Sequence, residues 1–135
     1  MGDNMDKIKK LINSLYLGDR FCERMEVSDN QIIIQINCIS RIEEGKREWN
    51  YYVNEDIIHG CLIFDSISEY YANTDLEFND EIYSLDIIGI EDESYLFVVN
   101  GCNVSNDNIS TGIEYHIKAK GFFIFDPQQN RKILD

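Results

Sequence analysis

Two short acidic runs are the segments of this chain best suited to bind a ligand. The first is Asp75-Leu-Glu77-Phe-Asn79-Asp80-Glu81 and the second is Glu91-Asp92-Glu93. Calcium binds through several carboxylate and carbonyl oxygens, so such runs are candidates for it. Their spacing lacks the central glycine and the terminal glutamate of an EF-hand loop, and Leu76 and Phe78 are typical of strand flanks. We therefore predict no metal site and no cofactor, and interpret the carboxylates as a surface for a cationic partner.

The residues that could act as nucleophiles or bases show no catalytic pattern. The two histidines, His59 and His116, are far apart in the sequence, and no serine lies in a Gly-x-Ser-x-Gly turn. The four cysteines Cys22, Cys38, Cys61 and Cys102 are spread along the chain without the close pair that zinc sites use. We interpret them as free thiols, and we predict that the protein is not an enzyme.

Tyrosine and tryptophan form two short groups, Trp49-Asn50-Tyr51-Tyr52 and Tyr70-Tyr71. Alternate burial along a strand would place one ring of each group in the core. Tyrosine and tryptophan also anchor protein interfaces, where the ring packs and the polar tip finds a partner, and an aromatic face attracts Arg and Lys. Core and interface remain the two interpretations of these rings.

The charge is concentrated in the centre of the chain. The net charge is −13, and no lysine or arginine occurs from Glu48 to Ile117, where 15 carboxylates are found. A surface with one sign of charge repels nucleic acid, whose binding requires Lys or Arg at the phosphates. It attracts cationic partners and raises their association rate. The alternative to a partner-binding surface is that the negative charge only keeps the protein soluble.

The rest of the sequence predicts the elements that must position these groups. Ile8, Leu11, Ile12 and Leu15 recur at helical spacing and predict a helix over 5–16. The later segments are rich in β-branched and aromatic residues and are separated by turn signals such as Asn100-Gly101. The predicted strands are 21–27, 31–39, 47–53, 61–67, 82–90, 94–100, 113–120 and 122–126. This pattern indicates a mostly β fold, an antiparallel β-sandwich or partly open barrel with one short N-terminal helix.

Length and composition are those of one globular domain over 1–135. The first residues lack the apolar run of a signal peptide, and no apolar stretch approaches the length of a membrane span. We expect a cytoplasmic protein that binds neither membrane nor nucleic acid. The oligomeric state is left open.

Several segments resemble a group of small uncharacterised bacterial proteins. The matching residues are Leu17-Gly18-Asp19-Arg20-Phe21-Cys22, Trp49-Asn50-Tyr51-Tyr52, Glu55-Asp56-Ile57, Gly60, Phe64, Asn79-Asp80-Glu81-Ile82 and Asp126-Pro127. The resemblance to that group implies no activity and no site residues for this chain. Size, charge and richness in Asn and Ile also resemble the acidic immunity proteins of bacterial polymorphic-toxin systems, which implies an inhibitor that binds a toxin.

The sequence thus favours a binding protein with an acidic face for a basic protein partner. Its most concrete form is an immunity-type inhibitor of a bacterial toxin domain. A small-ligand or calcium-binding β domain, or a minor enzyme, is the alternative. The predicted partner-binding residues are Trp49, Tyr51, Glu55, Asp56, Tyr70, Asp75, Glu77, Asp80, Glu81, Glu91, Asp92 and Glu93.

Overall fold

The computed structural model describes residues 2–42 and 56–134 as one helix followed by short and long β-strands. The predicted strand 47–53 and the predicted partner-binding residues Trp49, Tyr51 and Glu55 lie outside the described residues. The elements are α1 (Gly2–Ser14), β1 (Leu15–Tyr16), β2 (Cys22–Val27), β3 (Gln31–Ile36), β4 (Cys38–Arg41), β5 (Ile57–Ile58), β6 (Cys61–Ala72), β7 (Ile82–Glu91), β8 (Ser94–Val104), β9 (Ser110–Asp126) and β10 (Arg131–Ile133).

The strands form two antiparallel sheets. The large sheet has the order β2-β3-β6-β9-β8-β7, and β10 extends it beside the end of β9. The small sheet has the order β1-β4-β5. The long strand β9 is central, because it pairs with β6 along one edge and with β8 and then β10 along the other.

The large sheet curls until its two outer strands meet at one point. An isolated bridge joins Phe21, just before β2, to Glu81, just before β7. Two backbone hydrogen bonds flank it, from Cys22 N to Asp80 O at 2.8 Å and from Ile82 N to Arg20 O at 3.3 Å. The described parts of the chain do not form a closed barrel, since pairing between these outer strands stops there. The structure confirms the predicted class, a mostly β fold with one short N-terminal helix.

The main core lies on the inner face of this sheet. The rings of Phe64, Phe97 and Phe122 are in contact there, with centroids 5.1 to 5.9 Å apart. Ile8, Leu11 and Ile12 of α1 pack into the same cluster, so the apolar stripe of the helix covers the sheet. A smaller cluster on the outer face contains Cys61, Ile63 and Phe123, with Ile33 and Phe125 beside it.

The helix is shifted from its predicted position over 5–16. It begins at Gly2 and ends at Ser14, whose hydroxyl donates to Leu11 O at 2.6 Å. Leu15 and Tyr16 continue the helical spacing but pair with Arg41 and Ser40 of β4 instead. No helix of the described chain is both long and apolar enough to cross a bilayer.

Three details of the strand prediction are wrong. The predicted strand 31–39 breaks at Asn37 into β3 of the large sheet and β4 of the small sheet. Residues 113–120 and 122–126 belong to one strand, because Gly121 stays paired with Asp65 of β6. The dipeptide Asn100-Gly101, predicted as a turn, lies inside β8. A Cβ at position 101 would lie 2.6 Å from Glu81 O and 2.8 Å from the Phe78 ring. This glycine therefore allows another segment to approach the strand closely.

Candidate functional site

Residues 73–81, which we call the acidic loop, connect β6 to β7 and cross one end of the sheet. Phe78 anchors the loop, because its ring is buried and lies 5.3 Å from that of Tyr115. Asn79 fixes the path by exchanging hydrogen bonds with Val104: its Nδ2 donates to Val104 O and its Oδ1 accepts from Val104 N. Asn103 Nδ2 donates to Glu77 O at 2.8 Å. The loop is therefore held by β8 on one side, and on the other by the backbone hydrogen bond from Cys22 N of β2 to Asp80 O.

The acidic loop brings several of the predicted partner-binding residues together. Burial raises the pKa of Tyr115, and the charges of Glu77, Tyr70 and Asp75 add to this rise. These three groups therefore act electrostatically on one hydroxyl. Tyr70 is half exposed, and Asp75 and Glu77 are exposed, so the cluster faces solvent.

The end of the loop carries a second pair of predicted residues, Asp80 and Glu81. Cys102 Sγ lies 3.8 Å from Asp80 Oδ2. A hydrogen bond with Cys102, followed by burial and the nearby negative charges, raises the pKa of Tyr83 to about 12. The phenol therefore remains protonated and presents a neutral polar tip beside the carboxylates.

The carboxylates of the acidic loop form no ion pair in the described structure. No ion pair within residues 2–42 and 56–134 engages Asp75, Glu77, Asp80 or Glu81. A cationic partner could therefore bind these carboxylates without breaking an existing salt bridge. This distinguishes the loop from the other acidic run.

The run Glu91-Asp92-Glu93 lies at the opposite end of β7, in the turn to β8. β7 is ten residues long, which at about 3.3 Å per residue separates the two runs by roughly 30 Å. Lys118 Nζ binds Asp92 at 2.9 Å and Glu91 at 3.3 Å, and these bonds raise the pKa of the lysine. The hairpin run is therefore partly neutralised, and the fold does not unite the two runs on one face.

The remaining described residue of the predicted set, Asp56, contributes to a polar contact on the small sheet. Its Oδ1 accepts a hydrogen bond from Ser40 Oγ at 2.9 Å. The same Ser40 oxygen accepts from Arg20 at 2.9 Å. Asp56 is thus engaged by a residue of β4.

The family match extends over almost the whole chain. The model of DUF6258, described as a family of unknown function, matches residues 5–135. The chain belongs to this family. The DUF6258 match includes the acidic loop and every strand of the large sheet. No curated protein and no solved structure matches the chain significantly.

Both histidines of this DUF6258 chain pair with glutamates that are not among the predicted site residues. His116 Nε2 lies 3.0 Å from Glu114 Oε2 on the same strand. His59 Nδ1 lies 2.6 Å from Glu23 Oε1, although the two residues are 36 positions apart. Alternation along the strand predicts the first pair, because residues 114 and 116 point to one face. No local signal indicates the second.

A nucleophilic or metal-binding site sets requirements that the cysteines and the described carboxylates would have to meet. All four thiols are free, and burial raises the pKa of Cys22 to about 12. Cys22 therefore stays a thiol at neutral pH, whereas nucleophilic cysteines react as thiolates. Across the residues that the structure describes, no three His, Cys, Asp or Glu side chains are grouped as metal ligands.

Proposed function

We propose that the chain is a binding protein that docks a basic protein partner on the acidic loop and Tyr70. The observation that carries this proposal is that Asp75 and Glu77 are exposed on the acidic loop, which follows Tyr70 at the end of β6, and form no ion pair within the described residues. The proposed function is most concretely that of an immunity-type inhibitor, which neutralises a bacterial toxin in the cytoplasm.

Electrostatics supports a basic partner in particular. Carboxylates without counter-charges produce a local potential of several kT, which speeds the approach of a cationic surface. Loop carboxylates would cover the basic residues with which a toxin, such as a nuclease, holds its own anionic substrate. The half-exposed ring of Tyr70 supplies an aromatic face for arginine or lysine.

Affinity capture from the native host tests the proposal. The tagged chain is used as bait, captured proteins are identified by mass spectrometry, and the best candidate is purified and titrated by calorimetry. We expect a protein of high isoelectric point whose affinity falls as salt is raised, because salt screens exposed charges.

Two matched variants localise the binding surface. Asp75→Asn combined with Glu77→Gln removes two charges from the acidic loop, and Asp92→Asn combined with Glu93→Gln removes two from the hairpin. The loop variant should weaken binding strongly and the hairpin variant only slightly. A partner of neutral charge, an affinity insensitive to salt, or equal effects of the two variants would contradict the proposal.

A further inference from the structure

The second half of β6 has a free edge in the described structure. On one side, the pairing of β3 with β6 ends at Gln31 and Asp65. On the other side, the pairing of β9 with β6 continues as far as Ala72. The last described backbone bond to the β2–β3 connection runs from Ile67 N to Asn30 O at 3.1 Å. From Ser68 to Ala72, therefore, no described strand pairs with the edge that faces away from β9.

A cleft of about 490 Å³ runs beside this free edge. One wall is formed by Val27, Ser28 and Asp29 at the β2–β3 turn, and the other by residues 67–70 of β6. The cleft is thus bounded by a turn on one side and by the unpaired strand edge on the other. An extended segment entering it would meet unpaired backbone groups of β6.

The side chains around the free edge carry negative charge and aromatic rings. Asp29 and Glu69 line the cleft, and Tyr70 and Tyr71 are exposed by 47% and 63%. Among residues 2–42 and 56–134, no lysine or arginine lines the cleft. The nearest lysine by register, Lys118 opposite Glu69, is engaged by the hairpin carboxylates.

We propose that residues 68–72 accept a β-strand from a basic protein partner, which extends the large sheet beside β6. The inference rests on the proposed function and specifies how that partner binds. In strand addition, main-chain hydrogen bonds supply affinity and alternate side chains supply specificity. Lysine or arginine side chains of the added strand would lie against Asp29, Glu69 and the tyrosine rings.

The other outer strands of the large sheet are less suitable for strand addition. β7 has register shifts between Ile82 and Ser84 and between Ile87 and Gly89, which interrupt its edge in two places. The register shift of β6, between Ile67 and Glu69, lies where the free edge begins and leaves residues 69–72 in continuous register. β2 carries the exposed ion pair of Arg24 with Glu26, and charged side chains protect an edge. A second copy of the chain would bring a net charge of −13 to the same carboxylates, so repulsion favours a basic partner instead.

Synthetic peptides and NMR test strand addition directly. The first probe is a short peptide in which lysine alternates with valine, and the second has glutamate in place of lysine. The third is the lysine peptide with alternate backbone nitrogens methylated, which keeps its charge but removes donors on one edge. The lysine peptide should shift the resonances of residues 68–72 and slow hydrogen exchange there. The methylated peptide should bind at least about tenfold more weakly, and the glutamate peptide should not bind.

A matched pair of chain variants locates the effect. Glu69→Lys places a positive charge on the free edge, whereas Glu93→Lys makes the same change in the hairpin. We expect Glu69→Lys to abolish binding of the lysine peptide and Glu93→Lys to leave it nearly unchanged. Absence of binding, shifts outside residues 27–29 and 67–72, or equal affinity of the methylated peptide would overturn the inference.

The outcome also separates this inference from the proposed function. A basic host protein could bind in a salt-dependent way and lose affinity on removal of the Asp75 and Glu77 charges. If Glu69→Lys then had no effect and residues 68–72 showed no new protection, docking would occur through loop side chains alone. The proposed function would stand and strand addition would be wrong.

Discussion

The imidazole of His116 and the ring of Tyr71 are stacked face to face, with centroids 4.6 Å apart and planes 5° apart. The pairing of β6 with β9 places these residues directly opposite each other on the outer face. Tyr71 is mostly exposed, so the contact stabilises the end of β6 without burying it. The same strand segment forms the free edge at which we propose that a partner binds.

Removing this ring should loosen the end of β6. Tyr71→Ala is expected to lower the free energy of unfolding by up to about 1 kcal/mol, the range of an exposed cross-strand pair. It should also shift the His116 ring proton resonances, because the ring current of Tyr71 is lost. Tyr71→Phe keeps the stack and is the control. An unchanged His116 spectrum in Tyr71→Ala would show that the stack does not form in solution.

The close approach of the acidic loop to β8 predicts a sharp difference between two glycines. Gly101→Ala should destabilise the protein by about 2 kcal/mol, since a Cβ there meets a backbone oxygen and a buried ring. Gly112→Ala is the matched control, because nothing lies within 4 Å of its Cβ position. Urea unfolding measures both variants. Equal stability of the two would contradict the described path of residues 78–81.

The pair of Glu23 and His59 predicts a dependence of stability on acid pH. Hydrogen bonds from Gln35 first, and then from His59, lower the pKa of Glu23 below its ordinary value of 4.5. A lowered folded-state pKa stabilises the protein above pH 4.5, and this contribution is lost as the pH falls through the folded value. Gln35→Met should therefore raise the pKa of Glu23 and reduce the loss of stability on acidification.

A titration of the Glu23 carboxyl by NMR measures that effect. Gln31→Met is the control, because Gln31 lies on the same strand but donates to Asp65 instead. The control should leave the titration of Glu23 unmoved. A Glu23 pKa that is the same in wild type and Gln35→Met would rule out Gln35 as the main cause.

The buried thiol of Cys22 predicts the opposite dependence at alkaline pH. Its pKa rises from 9.0 to about 12, chiefly through burial. The folded state holds this proton more tightly than the unfolded state, so stability is complete below pH 9 and falls as the pH rises toward 12. Cys22→Ala should lose less of its free energy of unfolding over that interval. Cys38→Ala, which alters a partly exposed thiol, should keep the wild-type slope.

The positions of most strands were predictable, because the alternation of buried and exposed side chains along a strand is visible in a short stretch of sequence. Ile32, Ile34 and Ile36 are all buried on the inner face, as a period of two requires. The position of Asn100-Gly101 was not predictable, because a glycine that permits close approach has the same sequence signal as a turn. Only the path of the acidic loop, which contacts Gly101 from some twenty positions earlier, separates the two cases.

The candidate site was predictable in composition but not in geometry. The acidic residues and Tyr70 could be selected by charge and residue type alone. Their division between two ends of β7 follows from the length of one strand, which the sequence pattern approximates well. The electrostatic influence of Asp75 and Glu77 on Tyr115 depends on the loop, anchored by Phe78 against Tyr115, crossing to a strand some forty positions later, and no local pattern indicates such a contact.

The central position of β9 has a consequence for the order in which the protein is made. β9 is synthesised after β6 and β8, the strands between which it lies. A growing chain therefore carries two incomplete half-sheets on the ribosome, each with an apolar strand that awaits its neighbour. Such edges promote aggregation, and most of the 15 carboxylates between Glu48 and Ile117 have been translated before β9 begins. Their mutual repulsion would keep nascent chains apart until the last long strand arrives.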